Sequence, residues 1–221
     1  MTKKLPAWIE IGAFVLAFVA GIINVVGLLG FHHQSVSHLT GSASLLSLKV
    51  VQGEWDITLH LLGVLFSFFL GAMLAGVIIQ NATLRLGKRY GIALMLESLM
   101  LWIALQCLIA GSHGGDFWAS AACGLQNAMV STYSGAMIRT THITGTVTDL
   151  GSYLGQRLRG IPVEARRFWL YLLLIAGFMC GGLVGAASFM RWHYHSLYIP
   201  IATTGVLSAL YWGYWYHTKR L

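Results

Sequence analysis

Apolar residues run along this chain in long blocks that polar residues interrupt only briefly. A helix that crosses a hydrocarbon core of ~30 Å needs ~20 predominantly apolar residues. Six stretches meet that length, at about 8–30, 57–80, 91–110, 117–138, 168–190 and 197–216. Two others, at about 40–51 and 144–158, are apolar but short, rich in Ser, Thr and Gly, and both open on Thr-Gly. At 1.5 Å per residue they reach only ~18–22 Å, too little to cross comfortably. The pattern predicts an all-α integral membrane protein with one membrane domain over 1–221.

Composition narrows the class further. Hydrophobic residues make up 57% of the 221 positions and charged residues 10%, against about a quarter charged in an ordinary soluble domain. That excludes disorder, a nucleic-acid-binding arm and a conventional soluble enzyme, whose surface needs more charge. Cys107, Cys123 and Cys180 all fall in apolar runs. An odd count at such spacing is no disulfide framework and no zinc site, so they read as small buried hydrophobes. Lys3 and Lys4 before an apolar run resemble a signal peptide, but Phe18 two residues before Ala20 fits a small-x-small cleavage site poorly. Part of this segment also recurs later in the chain, so it is expected to be retained.

The net charge of +7 acts as a topology signal. Cytoplasmic flanks of membrane helices carry the excess of Lys and Arg. If the short segments span, nine basic residues fall inside and five outside. If they dip in and return on the same side, twelve of the 14 fall inside, leaving only Lys49 and Arg191 outside. The second partition predicts six transmembrane helices plus two re-entrant half-helices, with both termini cytoplasmic, in a bacterial inner membrane. Tyr211, Trp212, Tyr214, Trp215 and Tyr216 near the end of the last span, and Trp192 and Tyr194 after the fifth, read as interfacial anchors.

The chain also repeats itself. Gly21-Ile22-Ile23-Asn24 matches Gly124-Leu125-Gln126-Asn127 at an offset of 103, and His38-Leu39-Thr40-Gly41-Ser42 matches His142-Ile143-Thr144-Gly145-Thr146 at an offset of 104. Gly71–Gly76 matches Gly177–Gly182 at an offset of 106. Each half reads span, short segment, span, span: repeat one over about 7–110, repeat two over about 117–216. Three crossings per half is odd, so the second half starts on the opposite side and the two are inverted-topology repeats. Secondary transporters are often built this way, with paired Gly-interrupted segments marking a midplane site.

These paired motifs resemble the YoaK-like family of small bacterial membrane proteins over nearly the whole chain. In that family the first motif reads like Gly-x-x-Asp-Ala then Met-Thr-Gly-Asn, and the second like Gly-x-Gln-Asn-Ala then Thr-Gly-Thr. Gly124, Gln126, Asn127, Ala128, Thr144, Gly145 and Thr146 fit the second well. The first departs from the family, with Asn24 in place of the acid and Ser42 in place of Asn. If that acid carries protons or cations in relatives, this chain lacks it there. The resemblance implies a pattern and no substrate.

Polar groups at membrane depth are costly and face protein or water. Asn24, Gln126 and Asn127 could bind a solute or bond between helices. Thr40, Gly41, Ser42, Thr144, Gly145 and Thr146 open the half-helices, where Thr caps and free N–H groups attract anions or carbonyl oxygens. His38 and His142 precede those caps as candidate gates or proton-coupling groups, or as histidines bonded to nearby backbone. Glu97, seven residues into span three, is either a proton carrier or an interface-facing acid near the cytoplasmic end. Asp149 is the stronger coupling candidate, although it could pair with Arg139 or Arg157. His32, His33, His193 and His195 fall in external loops without a helical His-Glu metal spacing. No P-loop, Gly-x-Ser-x-Gly elbow or His-Glu-x-x-His is present, so no catalytic residue, metal or cofactor is implied.

The expected function is a secondary transporter or facilitator of a small polar solute, an anion among the candidates, bound between the half-helix N-termini. A passive channel and a membrane enzyme or sensor are the alternatives. The expected partners are the lipid bilayer and the solute, with no nucleic acid, and the small size leaves room for a homodimer. Cysteines introduced one at a time at Gly87 and Gly160, in a chain freed of its own thiols, should both react only with reagent reaching the cytoplasmic face. An external Gly87 position would refute six crossings.

Overall fold

The computed structural model describes residues 7–30, 39–79, 88–134 and 139–218. Its order is α1 (Ala7–Gly30), α2 (Leu39–Gln52), α3 (Trp55–Ile78), α4 (Lys88–Ile109), α5 (Gly114–Ser134), α6 (Ile143–Leu158), α7 (Ala165–Trp192) and α8 (Tyr198–Thr218), with a 3-10 turn, His193–Leu197, between the last two. The six long helices and two short ones fall where the apolar blocks place them. Four stretches are long and apolar enough to cross a membrane: Glu10–Gly30, Trp55–Ile78, Arg89–Ile109 and Ala165–His217, the last covering α7, the turn and α8.

The arrangement of large and small side chains is that of a membrane protein. On α3 the outward face carries Leu59, Phe66, Phe69, Met73 and Val77, while Gly71 and Ala75 are buried. On α7 a stripe at helical spacing, Leu170, Leu174, Gly177, Gly181, Gly185 and Ser188, is buried, and Met179, Leu183 and Met190 face out. In lipid, apolar surface gains little by being hidden, so helices associate through close backbone approach at small residues. α5 is not among the stretches apolar enough to cross, because it carries Asp116, Ser120, Gln126 and Asn127. It is packed between α3, α4 and α1, so protein rather than lipid surrounds those groups.

The packing exchanges helices between halves. α1 packs on α7, α3 on α5, α4 on α5 and α8, α1 on α5 and α8, α2 on α3 and α6 on α7. Swapping α1–α4 for α5–α8 maps this set of pairings onto itself. The slight α3–α4 contact alone has no direct counterpart, α7 and α8 being linked through the 3-10 turn. The close approaches follow the same rule. A Cβ at Gly21 would strike the Phe178 carbonyl and one at Gly181 the Phe18 carbonyl; likewise Gly124 meets that of Phe68 and Gly71 that of Ala121. The residue that plays the part of Gly71 is therefore Gly181, not the Gly177 of the sequence match.

Helix directions follow from which residues meet. Phe14, Phe18 and Ile22 of α1 meet Gly177, Gly181 and Gly185 in the same order, so α1 and α7 run parallel. His60, Val64 and Phe68 of α3 meet Asp116, Ser120 and Gly124, so α3 and α5 also run parallel. Ser98 and Gly91 of α4 meet Ile201 and Ser208 of α8, an antiparallel pair. Gly30 at the end of α1 lies on Tyr194, just before α8 begins, and α4 turns back into α5 at Gly111. Thus α1, α4 and α7 run one way, and α3, α5 and α8 the other.

Both short helices end in the same turn. Gly53 and Gly160 have positive φ, 72° and 74°. The Glu54 N–H donates to the Lys49 carbonyl and the Ile161 N–H to the Gln156 carbonyl, satisfying helix-end acceptors as a left-handed glycine allows.

Three expectations about placement need correction. Cys123 is buried, but Cys107 is half-buried and Cys180 lies on the exposed face of α7. Tyr194 is a wedge more than an anchor, its ring against Gly30 and its hydroxyl donating to the Gly30 carbonyl at 3.0 Å. The helices α2 and α6 start at Leu39 and Ile143, so Thr40 and Thr144 lie inside the first turn and do not cap it.

Gly181→Ala should lower stability by about 1–3 kcal/mol, since carbonyl backbone must move. Gly76→Ala, which meets nothing within 4 Å, should be neutral or stabilising by up to about 1 kcal/mol. Thermal unfolding in detergent compares the two.

Candidate functional site

The buried residues form two stacked apolar cores. One gathers Ala13 and Ala17 of α1, Ala93 and Leu94 of α4, Leu125 and Met129 of α5 and Leu170 and Leu174 of α7. The other gathers Val19 and Ile22 of α1, Leu101 and Leu105 of α4 and Ala119 and Cys123 of α5. Along the helices, Gln126 falls among residues of the first, Asn24 among residues of the second, and Glu97 between the two.

Gln126 is the best anchored of them. It is fully buried on α5, and its amide nitrogen donates to the Leu16 carbonyl of α1 at 2.8 Å and to the Thr140 hydroxyl at 2.9 Å. Thr140 and Thr141 are buried and precede α6 in non-helical backbone. Gln126 thus ties irregular chain to the middle of two long helices. Irregular backbone at such depth is tolerated only where protein or a water-filled cavity surrounds it. The Gln126 Oε1 and Asn127 Oδ1 atoms are buried without a hydrogen-bond partner among the described residues. They are acceptors beside that segment, open to a ligand's donors.

α6 begins at an uncapped turn. His142 occupies the cap position with no side-chain hydrogen bond to the helix N–H groups. Its ring lies over Gly145, where a Cβ would strike the ring Nδ1. Only glycine at 145 leaves room for the imidazole there. The His142 carbonyl accepts from the Thr146 N–H and hydroxyl, at 3.1 and 3.0 Å.

Asn24, Ser42 and Thr146 are buried, whereas Thr40, Gly41, Thr144 and His142 are exposed and Gly145 intermediate. His38 lies outside the described residues. α2 and α6 pack on α3 and α7 and make no contact with each other, so the two Thr-Gly turns are not brought together. Asp149 is exposed, not interior. It lines, with Tyr171, a cleft of about 430 Å³ between α6 and α7 that Tyr153, Glu164 and Arg167 also line. Neither Arg139 nor Arg157 pairs with it among the described residues.

Glu97 is not near a helix end. α4 begins at Lys88, which makes Glu97 the tenth of 22 residues. It is 0% exposed, between the two cores, and neither oxygen has a partner among the described residues. A charge at the bilayer centre costs roughly 3 kcal/mol on insertion scales, and more by other accounts.

Two ion pairs escape a reading of the chain that looks for acids only within the spans. Asp116 is buried at the start of α5, 2.8 Å from the ring of His60 on α3. The His60 ring also packs against His113 and Phe117. Glu10 at the start of α1 accepts from Arg166 of α7 at 2.7 Å. Each pair joins the first helix of one half to the third of the other. The available signal was an acid in the first turn of both first helices.

Apolar helices of spanning length, outward-facing large side chains and buried polar groups together define a polytopic helical membrane protein. The chain belongs to the family described as Protein of unknown function (DUF1275), which it matches over residues 12–210. Membership agrees with the resemblance to YoaK-like proteins. No curated protein and no solved structure matches the chain.

A double-mutant cycle of Gln126→Leu and Thr140→Val should give a coupling of about 1 kcal/mol in thermal unfolding. Additive losses would mean that Gln126 does not hold the 139–142 segment.

Proposed function

We propose that this chain is a secondary transporter or facilitator of a small polar solute in the bacterial cytoplasmic membrane. In this reading six helices cross, α2 and α6 are re-entrant half-helices, and the halves are inverted repeats that rock against each other. The observation that carries it is the buried irregular backbone at Thr140 and Thr141, held by Gln126 to the middle of α1 and α5. Three others support it. Corresponding helices of the halves run in opposite senses, the helix pairings survive exchange of the halves, and both short helices end in the same glycine turn. Broken helices at the interface of inverted repeats are where transporters bind their solutes.

The solute site would lie beside the 139–146 segment. Asn127 and Gln126 offer acceptors, the uncapped N–H groups of α6 offer donors, and Asn24 and Ser42 are the related positions of the first half. A carrier rather than a catalyst fits these groups, since none forms a nucleophile–base pair.

Purified protein in proteoliposomes tests the reading with labelled amino acids, organic acids, sugars and inorganic anions. An imposed proton gradient should drive accumulation of one class above its external level, and Asn127→Ala should cut its uptake about tenfold, the loss of about one hydrogen bond. Equilibration without accumulation would indicate a channel, and chemical conversion without flux an enzyme. Asp149→Asn with unchanged coupled uptake would remove Asp149 from the coupling machinery.

A further inference from the structure

Glu97 has no structural explanation in its surroundings. It sits mid-helix on the buried stripe of α4, with Ala93 and Leu94 one turn before and Leu101 one turn after. Both carboxyl oxygens are buried and have no hydrogen-bond partner among the described residues. α4 packs on α5, α8, the 3-10 turn and, slightly, α3, and none of these brings a cation to it. On α5 the charged residue is Asp116, already joined to His60, and the titratable group that faces Glu97 is the thiol of Cys123. α8 holds no Lys, Arg, Asp or Glu, and its Tyr211 faces Tyr90 toward the start of α4. His193 and His195 of the 3-10 turn are exposed, whereas Leu197 of that turn is buried in one core with Leu101 and Leu105. α1 has Glu10 as its sole charged residue, held by Arg166.

A carboxyl retained in such a place binds something that the resting protein does not supply. A metal cation needs several oxygen ligands: sites for hard cations take about six. No group of three His, Cys, Asp or Glu residues among the described ones could hold a metal, and the neighbours of Glu97 on its own stripe are Ala and Leu. A proton needs one oxygen. Buried acids in membrane pumps and transporters carry protons on this principle.

We propose that Glu97 is the proton-binding site that couples solute movement to the proton gradient. Binding transfers one proton from hydronium to one carboxylate oxygen, forming that O–H bond, breaking one in hydronium and leaving water. The neutral acid is the form that the closed apolar interior accommodates. When the halves rock and water reaches α4 from one side, the proton exchanges with that side. Glu97 has no acidic counterpart in α8, so a single proton site serves both halves. This rests on the transporter reading above and names its coupling ion.

The test has two arms, so that the proton site and the transport reading can fail separately. In the first, dicyclohexylcarbodiimide, an apolar reagent that attacks protonated carboxyls, is applied to purified protein, and the modified peptide is located by mass spectrometry. Labelling should fall on Glu97, decline at least tenfold from acid to alkaline pH, vanish in Glu97→Gln and return in Glu97→Asp. In the second, proteoliposomes carrying a luminal pH dye are loaded with solute. Glu97→Gln should exchange solute at the wild-type rate while moving no protons, and its thermal unfolding should match or exceed that of the wild type. An unlabelled Glu97 at every pH, or proton-coupled uptake by Glu97→Gln, overturns the proposal. Labelled Glu97 in a protein that moves no solute keeps the proton site and overturns transport.

Discussion

The structure depends on four places where one helix backbone comes against another with nothing between them. Gly21 and Gly181 meet the carbonyls of Phe178 and Phe18, and Gly124 and Gly71 meet those of Phe68 and Ala121. Hiding apolar surface gives little in lipid, so close packing, interhelical hydrogen bonds and lipid entropy hold such bundles. These contacts lock α1 to α7 and α3 to α5, each a helix of one half against a helix of the other. Neither half can therefore hold its shape alone. The ion pairs Glu10–Arg166 and Asp116–His60 reinforce the same two seams near the starts of their helices.

That interlock sets where polarity can sit. With α3 and α4 on either side, α5 never relies on lipid, and it carries the Asp, Ser, Gln and Asn that a lipid-facing helix could not. Gln126 uses this freedom to draw the Thr140 segment inward. Glu97 lies in the same middle layer, between two cores of Ala, Leu, Val and Ile. Tight glycine seams, a polar inner helix and an isolated acid are thus consequences of one packing scheme.

Much of this was legible in the chain. The ~20-residue requirement for a crossing located all six long helices and separated the two short ones. The match of Gly21 with Gly124 pairs two glycines that make equivalent close approaches, whereas the match of Gly71 with Gly177 picks the wrong partner, since Gly181 makes the approach equivalent to that of Gly71. What was not legible depended on contacts across the fold. The exchange of helices joins residues such as Phe18 and Gly181 that are far apart in sequence, and periodicity within one helix says nothing about its partner. The depth of Glu97 was misjudged because Lys88 and Arg89 read as loop, whereas they belong to the first turn of α4. Asp116 was missed because it lies just before the apolar block, where an acid reads as solvated. Its partner, His60, comes from another helix. Thr144 reads as a cap because Thr favours that position, but α6 starts at Ile143 with His142 in the cap position.

The central claim is that the two halves cross the membrane in opposite senses. Single cysteines replacing Lys4, before α1, and Ser112, before α5, test it most directly through sided thiol labelling in intact cells and in inverted vesicles. The account predicts Lys4→Cys reactive only from the cytoplasmic side and Ser112→Cys only from the external side. Labelling of both from the same side would contradict it.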